Sequence, residues 1–522
     1  MKRVPPPLAL AALVLVLSAH VGSPDTYFEG SAGPYPIRVI VRSPGVVPGL
    51  AQISVRILGS EGGAGVRRVT VLPVRWDAGT EGAPPADLAD SVPGDPALYS
   101  AALWLMTVGS YSVHVAVEGT AGSGTAIVPV QAIATRRLEL QRPLGFALLG
   151  LGAVLFIGAL TIIGAAVRES VLPPGEAPDP HRVRRARITV GAGTVVLAGL
   201  LFLGRAWWTG VDAEYRGNLY RPFHATASVH SDGAAPAARR VLRLALDDSA
   251  WLSRRWTPLV PDHGRLMHLF LVGDGGLDAF AHLHPVPIDS NTFDTPLPPL
   301  PQLPAGRYRV YADIVHESGF AQTLTDTVEL PATEARGVFR PGDPDDAWWT
   351  ASETRDTRDV VTLSDGSTMT WERGSEPLVA NADAALRFVV RGPRGEPAEL
   401  EPYMGMTGHT AVTREDGAVF VHLHPLGTIS WAAQQTFLLR GPEDTVRGSV
   451  ARKMAALQGS GEQGPVRPAA SLDHGPHRRG PLSASSSLSF PYAFPQPGRY
   501  RIWVQVKRHG RILTGAFEAE VS

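Results

Sequence analysis

The sequence predicts a mainly β protein with sandwich domains on both sides of a two-helix transmembrane hairpin. Three observations predict it. Short alternating or apolar runs, punctuated by Gly and Pro, fill most of the chain. Two long apolar segments interrupt them near the middle. The C-terminal half then repeats itself, with Met267-His268 … His282-Leu283-His284-Pro285 answered by Gly408-His409 … His422-Leu423-His424-Pro425.

At 522 residues the chain exceeds what one core supports, so several domains are expected. A net charge of −1 with 19% charged residues gives no basic stripe for nucleic acid. Cysteine is absent, which excludes thiolate zinc sites, iron–sulfur clusters, blue-copper centres, Cys nucleophiles and disulfides.

Residues 1–22 read as a secretory signal peptide, with Lys2-Arg3 ahead of the apolar Leu8–Leu17 and small residues from Ser18 to Gly22. Residues 23–140 read as an N-terminal β-sandwich whose strands include 37–42, 51–57, 68–72 and 111–117. His114 falls inside one of them and reads as packed. Residues 143–167 carry no charge and are long enough to span a bilayer core. A cytoplasmic loop is expected at 168–187. A second span follows at 188–208, ending in Trp207-Trp208, which suit the interfacial belt. Two spans return the chain to its starting side, so the signal peptide places both flanking regions outside the cytoplasm. Neither span contains an ionisable residue between Pro143 and Val167 or between Ile188 and Gly204, which reads as an anchor rather than an ion path.

Two further sandwiches are expected at 215–333 and 345–521. Each is closed by a Gly-Arg-Tyr-Arg strand, at Gly306 and at Gly498. Residues 334–347 read as the linker, Trp348-Trp349 as the buried start of the last domain, and 441–488 as an exposed low-complexity insertion.

Alternate residues of a strand share a face, so His282/His284 and His422/His424 each present two imidazoles side by side. A loop at Arg414–Gly417 would pair Thr413 with Ala418 and set His409 opposite His422. A three-residue loop at Asp274–Gly276 would set His268 opposite His282. Val412, Val419, Val421 and Leu423 take the other face, which frees the histidines from the core. Met404 and Met406 lie close by in sequence, and thioether with imidazole is a donor set suited to copper. The expected metal ligands are therefore His268, His282, His284, His409, His422 and His424, assisted by Met404 and Met406 in the second site. Asp262-His263 reads as a turn, with a place behind the metal ligands as the alternative. Asp473-His474 and His477 read as solvated filler.

The stretches 264–272 with 281–285, and 408–409 with 421–425, resemble bacterial proteins carrying YtkA-like domains, secreted or membrane-anchored β-modules. The resemblance covers roughly 215–333 and 380–521, and implies an immunoglobulin-like or cupredoxin-like sandwich with a non-enzymatic role. The expectation is an exported protein, anchored in the cell membrane, that binds copper, with zinc as the alternative ion, for buffering, delivery or sensing among periplasmic metal-handling or envelope proteins. An envelope scaffold without metal is a second reading. A zinc hydrolase with three imidazole ligands is a third, with Asp278, Glu415 or Asp416 as its base.

Overall fold

The computed structural model describes residues 20–21, 25–59, 63–173, 175–232, 239–253, 256–332, 339, 341–351, 359–444, 446–459 and 486–522. Most of the expected signal peptide and the pair His474/His477 lie outside the described residues. The chain divides into two compact units, Met1–Ala132 with Pro222–Ser522, and Ile133–Arg221.

A two-residue strand, β1 (His20–Val21), opens the first unit. The N-terminal sandwich follows with β2 (Thr26–Ala32), β3 (Tyr35–Arg42), β4 (Gly49–Ile57), β5 (Val66–Arg75), β6 (Asp87–Leu88), β7 (Asp90–Val92), β8 (Asp95–Leu105), β9 (Gly109–Gly119) and β10 (Gly122–Ala132). They form sheets ordered β2-β3-β4-β8-β7 and β10-β9-β5-β6. Strand alternation builds the core: Ala51, Ile53, Val55 and Ile57 of β4 point in and are buried, while Leu50 and Gln52 point out.

The second unit contains α1 (Arg142–Glu169) and α2 (Pro180–Gly217), both long and apolar enough to cross a membrane. Their facing surfaces are thinned by glycine: a Cβ at Gly164 would lie 3.0 Å from Val190, and one at Gly193 3.3 Å from Ile163. α2 extends past the expected 188–208 at both ends. Asp179 caps it through the Arg182 N–H at 2.8 Å, and the arginines that follow are good helix formers. Arg137 pairs with Asp212 at 3.1 Å at the other end of the hairpin.

The rest of the first unit holds two more sandwiches. One comprises β11 (Ala225–Asp232), β12 (Arg239–Leu246), the short α3 (Ser249–Leu252), β13 (His268–Gly273), β14 (Ala279–Leu283), β15 (Val286–Pro287), β16 (Thr292–Pro296), β17 (Gly306–Val315), β18 (Ala321–Leu330) and β19 (Ala347–Thr350), in sheets β11-β12-β16-β15 and β18-β17-β13-β14-β19. The other comprises β20 (Val360–Thr362), β21 (Thr368–Trp371), β22 (Ala384–Arg391), β23 (His409–Arg414), β24 (Val419–Leu423), α4 (Trp431–Leu439), α5 (Ser449–Gly459), β25 (Ser487–Tyr492), β26 (Gly498–Arg508) and β27 (Arg511–Val521). Its sheets are β20-β21-β22-β25 and β1-β24-β23-β26-β27. The duplication is therefore literal: β18-β17-β13-β14 and β27-β26-β23-β24 match strand for strand.

A shared corner links all three sandwiches. Tyr111, Tyr308 and Tyr500 each donate their hydroxyl to the carbonyl four residues earlier, Thr107 at 3.2 Å, Pro304 at 2.9 Å and Gln496 at 2.7 Å. The glycines two residues before them, Gly109, Gly306 and Gly498, have φ of 139°, 140° and 141°, a conformation that disfavours any side chain. The N-terminal domain is a third copy of this corner, written Gly-Ser-Tyr-Ser instead of Gly-Arg-Tyr-Arg. It carries no counterpart of the histidine hairpin: Thr70, paired with Ala116, stands where His268 pairs with Asp313.

Three expectations change. Both hairpin registers slide by two residues: Ala411 pairs with His422 and Phe270 with His282, which puts His409 and His268 level with His424 and His284. The first turn is longer than expected, running over 274–278 with a positive φ at Leu277, and the second moves along to 415–418 with a Gly417 N–H to Arg414 O bond. A two-residue slide keeps every side chain on its face, so His268, His282 and His284 still share one face, as do His409, His422 and His424. Trp348 and Trp349 pair with Ala281 and Phe280 as an edge strand of the earlier sandwich, instead of starting the last domain. Residues 449–459, read as part of the exposed insertion, form α5. Val450 and Met454 bury against Val260, Val315, Ala432 and Ala433, and the Glu317 carboxylate accepts the N–H groups of Gly448, Val450 and Ala451 at the helix start.

Candidate metal centre

The histidine faces of the two C-terminal sandwiches are turned towards each other. Outside the histidines, Phe270, Phe280, Tyr311, Ala411, Phe420 and Trp503 pack into a cluster between the sheets. Its contacts are reciprocal: Phe280 stacks on Trp503 at 4.6 Å, and the equivalent residue of β24, Phe420, stacks on Tyr311 at 4.0 Å. Such mutual exchange of equivalent partners is the signature of a pseudo-two-fold interface.

Around that axis His263, His268, His282, His284, His409, His422 and His424 form one continuous cluster, with neighbouring ring centroids 4.5–6.3 Å apart. All are removed from solvent; the most exposed motif histidine, His422, is at 8%. His268, His282 and His284 bring one donor nitrogen each within 4.8 Å of one another, and so do His263, His409 and His424. The first trio is the expected one. The second takes His263 from the other sandwich, while His422 stays beside it with Nε2 3.2 Å from His409 Nδ1.

Outer hydrogen bonds set the tautomers. His268 Nε2 donates to Asp262 O at 3.1 Å and His409 Nε2 to Tyr403 O at 3.2 Å, turning the Nδ1 lone pairs inward. His284 Nδ1 donates to Asp346 Oδ1 at 3.0 Å and His424 Nδ1 to Ile429 O at 3.0 Å, turning Nε2 inward. His268 Nδ1 and His282 Nε2 are 3.1 Å apart. Two imidazoles on one tetrahedral ion, each bonded at about 2.0–2.1 Å, would lie about 3.3 Å apart. Orienting a metal ligand through its second nitrogen, by carboxylate or carbonyl, is the usual support for such a site.

The Nε2 atoms of His263, His284 and His424 are buried without a hydrogen-bond partner. An unpaired buried polar atom costs roughly 1–3 kcal/mol, and three around one axis call for an explanation. His316 is the internal comparison. Equally buried, it has Nδ1 on Thr257 O at 3.0 Å and Nε2 on Gln322 at 2.9 Å, so both nitrogens are satisfied and its role is structural.

Burial holds His263, His268, His282, His409 and His422 well below the ordinary imidazole range, helped by repulsion from neighbouring imidazoles; burial lowers His424 too. They are neutral at pH 7, the state in which imidazole ligates. Asp313, 3.4 Å from His422 Nδ1, is pushed up to about 7 by burial, although 23% of its side chain still meets water.

Met404 is buried in the turn before β23, and Met406, half-buried, exchanges both backbone bonds with Tyr403 across that turn. The sequence does not mark Asp346 or Asp313, and it places His263 in a turn or beside the metal without making it a ligand. His263 had a signal in the duplication: Asp262-His263-Gly264 stands five residues before His268 as Tyr403-Met404-Gly405 stands before His409. Asp346 lay in what read as a linker, and nothing local marks Asp313. The three carboxylates expected to serve a hydrolase, Asp278, Glu415 and Asp416, sit at the hairpin tips, four to six residues along the strands and so roughly 13–20 Å from the histidines.

Residues 360–451 match the family described as Domain of unknown function (DUF8832). No curated protein matches the chain. Among solved structures, a tetra-tandem repeat from the extending region of a large adhesion protein aligns at 9% identity, covering 91% of this chain and 71% of that one, with a TM-score of 0.15. Salmonella alpha-2-macroglobulin aligns at 9% identity over 96% of this chain and 23% of its own, with a TM-score of 0.18. The three N-terminal domains of the bacteriophage RB49 Hoc capsid protein align at 8% identity, over 95% and 99%, with a TM-score of 0.13.

Proposed function

We propose that the two C-terminal sandwiches bind a transition metal, copper in the leading reading, at two sites between their facing sheets. The protein would hold or hand on the ion rather than turn over a substrate. The observation that carries this is the set of three buried, partnerless Nε2 atoms, each flanked by neutral imidazoles whose other nitrogen is already fixed. Imidazole without thiolate or a carboxylate cage suits copper and zinc and ill suits magnesium or calcium. The two apolar helices would anchor the chain in a membrane, with both flanking regions on the extracytoplasmic side if the leader directs export.

The test is elemental analysis of the full chain, purified in detergent and loaded with copper or zinc, beside a variant with His268, His282, His284, His409, His422 and His424 all replaced by Ala. About two tightly held ions per chain, absent from the variant, are expected. Equal metal in both proteins would reject the assignment.

A further inference from the structure

Granting the metal reading just given, the pseudo-two-fold assigns Met404 to the first site, not the second, so the two sites differ in donor chemistry. The symmetry rests on reciprocal pairs. His282 Nδ1 meets Gln505 Oε1 of β26 at 2.9 Å, and the equivalent His422 Nδ1 meets Asp313 Oδ2 of β17 at 3.4 Å. Gln505 pairs with His409 as Asp313 pairs with His268, so the two contacts are images of one another.

The turns before the two hairpins are images as well. Asp262 and Arg265 exchange backbone hydrogen bonds, as do Tyr403 and Met406. Between them His263 has φ 50° and Met404 φ 49°, each followed by a left-handed glycine, Gly264 at 81° and Gly405 at 79°. Such a pair of positive φ values makes a tight primed turn, which aims the first central side chain the same way in both copies.

His263 crosses the interface: its ring lies 5.2 Å from His409 and 5.1 Å from His424, both of the other sandwich. Applying the two-fold carries Met404 to the matching place over His268 and His284. Met404 is buried at 8%, and the His263 ring is hydrogen-bonded to the Met404 backbone, so the two turns meet at the axis. The His284 Nε2 atom that the turn would face is buried and partnerless.

We infer that Met404 supplies a thioether to the His268/His282/His284 site, while His263, from the equivalent turn, supplies an imidazole to the His409/His424 site. Three imidazoles with a thioether favour Cu(I); an all-imidazole set also suits Cu(II) and zinc.

The experiment is X-ray absorption at the copper edge on the full chain loaded with Cu(I) under reducing conditions, with stoichiometry measured on the same samples. Wild type should bind two coppers and show sulfur scattering equivalent to one thioether per two ions. Met404→Leu should keep its copper and lose the sulfur signal; Met406→Leu should retain it. His263→Met should double it. Two bound coppers with no sulfur in wild type, or sulfur surviving in Met404→Leu, would overturn the assignment while leaving the metal reading intact. No bound copper in wild type would overturn both.

Discussion

Acidification of the metal-free protein should unfold the two C-terminal sandwiches abruptly, and the magnitude follows from the cluster. His263, His268, His282, His409, His422 and His424 are all shifted down in the folded state. In the unfolded chain they titrate near 6.5, so below that pH the unfolded state takes up protons that the folded state refuses, and stability falls as pH falls. Between pH 7.5 and 5.5 each such histidine costs up to about 1.4 kcal/mol, at most about 8 kcal/mol for the six. Asp313 has the opposite sign. Its folded pKa of about 7 lies above the unfolded carboxylate value, so the folded state gains a proton in this window. That returns about 2 kcal/mol. The net loss, at most about 6 kcal/mol, reaches the whole stability of an ordinary domain. Urea unfolding of chelator-treated protein at half-unit steps across this range, followed by Trp fluorescence, measures it. The variant with all six motif histidines replaced should show most of the slope removed. A wild-type midpoint that does not move between pH 7.5 and 5.5 would refute the claim that these imidazoles are held neutral.

Other expectations test single contacts. Asp346→Asn removes the carboxylate that fixes the His284 tautomer, and should weaken metal at the first site by roughly 10–100-fold with the second unchanged, as read by competition with a chelator. Trp503→Ala empties the space against Phe280, and should cost about 3–5 kcal/mol in chemical denaturation; an effect below 1 kcal/mol would mean the two sandwiches are not packed as described. Tyr500→Phe deletes the corner hydrogen bond to Gln496 O, and should cost about 1 kcal/mol without changing metal stoichiometry. Saturating copper at about 100 times its dissociation constant should raise unfolding stability by about 2.7 kcal/mol per site, and a shift absent from wild type would contradict binding to the folded state.

Much of this architecture was legible along the chain. The β runs, the two apolar segments and the duplicated His-Leu-His-Pro corner are local patterns, and strand periodicity alone puts His282 with His284 and His422 with His424 on one face. The parity of a hairpin is also robust: both registers differ from the expected ones by two residues, which leaves His268 and His409 on the expected faces. Apolar content marks a span but not the ends of its helix, which α2 sets through Asp179 and its arginine-rich first turns. Residues 449–459 resemble filler because, among the described side chains, Val450 and Met454 are the fully buried ones of the helix.

Which histidines share a site was decided by tertiary structure. Periodicity acts over one strand, whereas the site is made where two separately folded faces meet. That meeting brings His263 over His409 and His424, sets Asp313 and Gln505 on opposite partners, and draws Asp346 out of an apparent linker onto His284. The sequence determined by itself that two histidine faces exist. Only packing, through a pseudo-two-fold that no local propensity encodes, decided that they face each other, bury their imidazoles and leave three nitrogens without a partner.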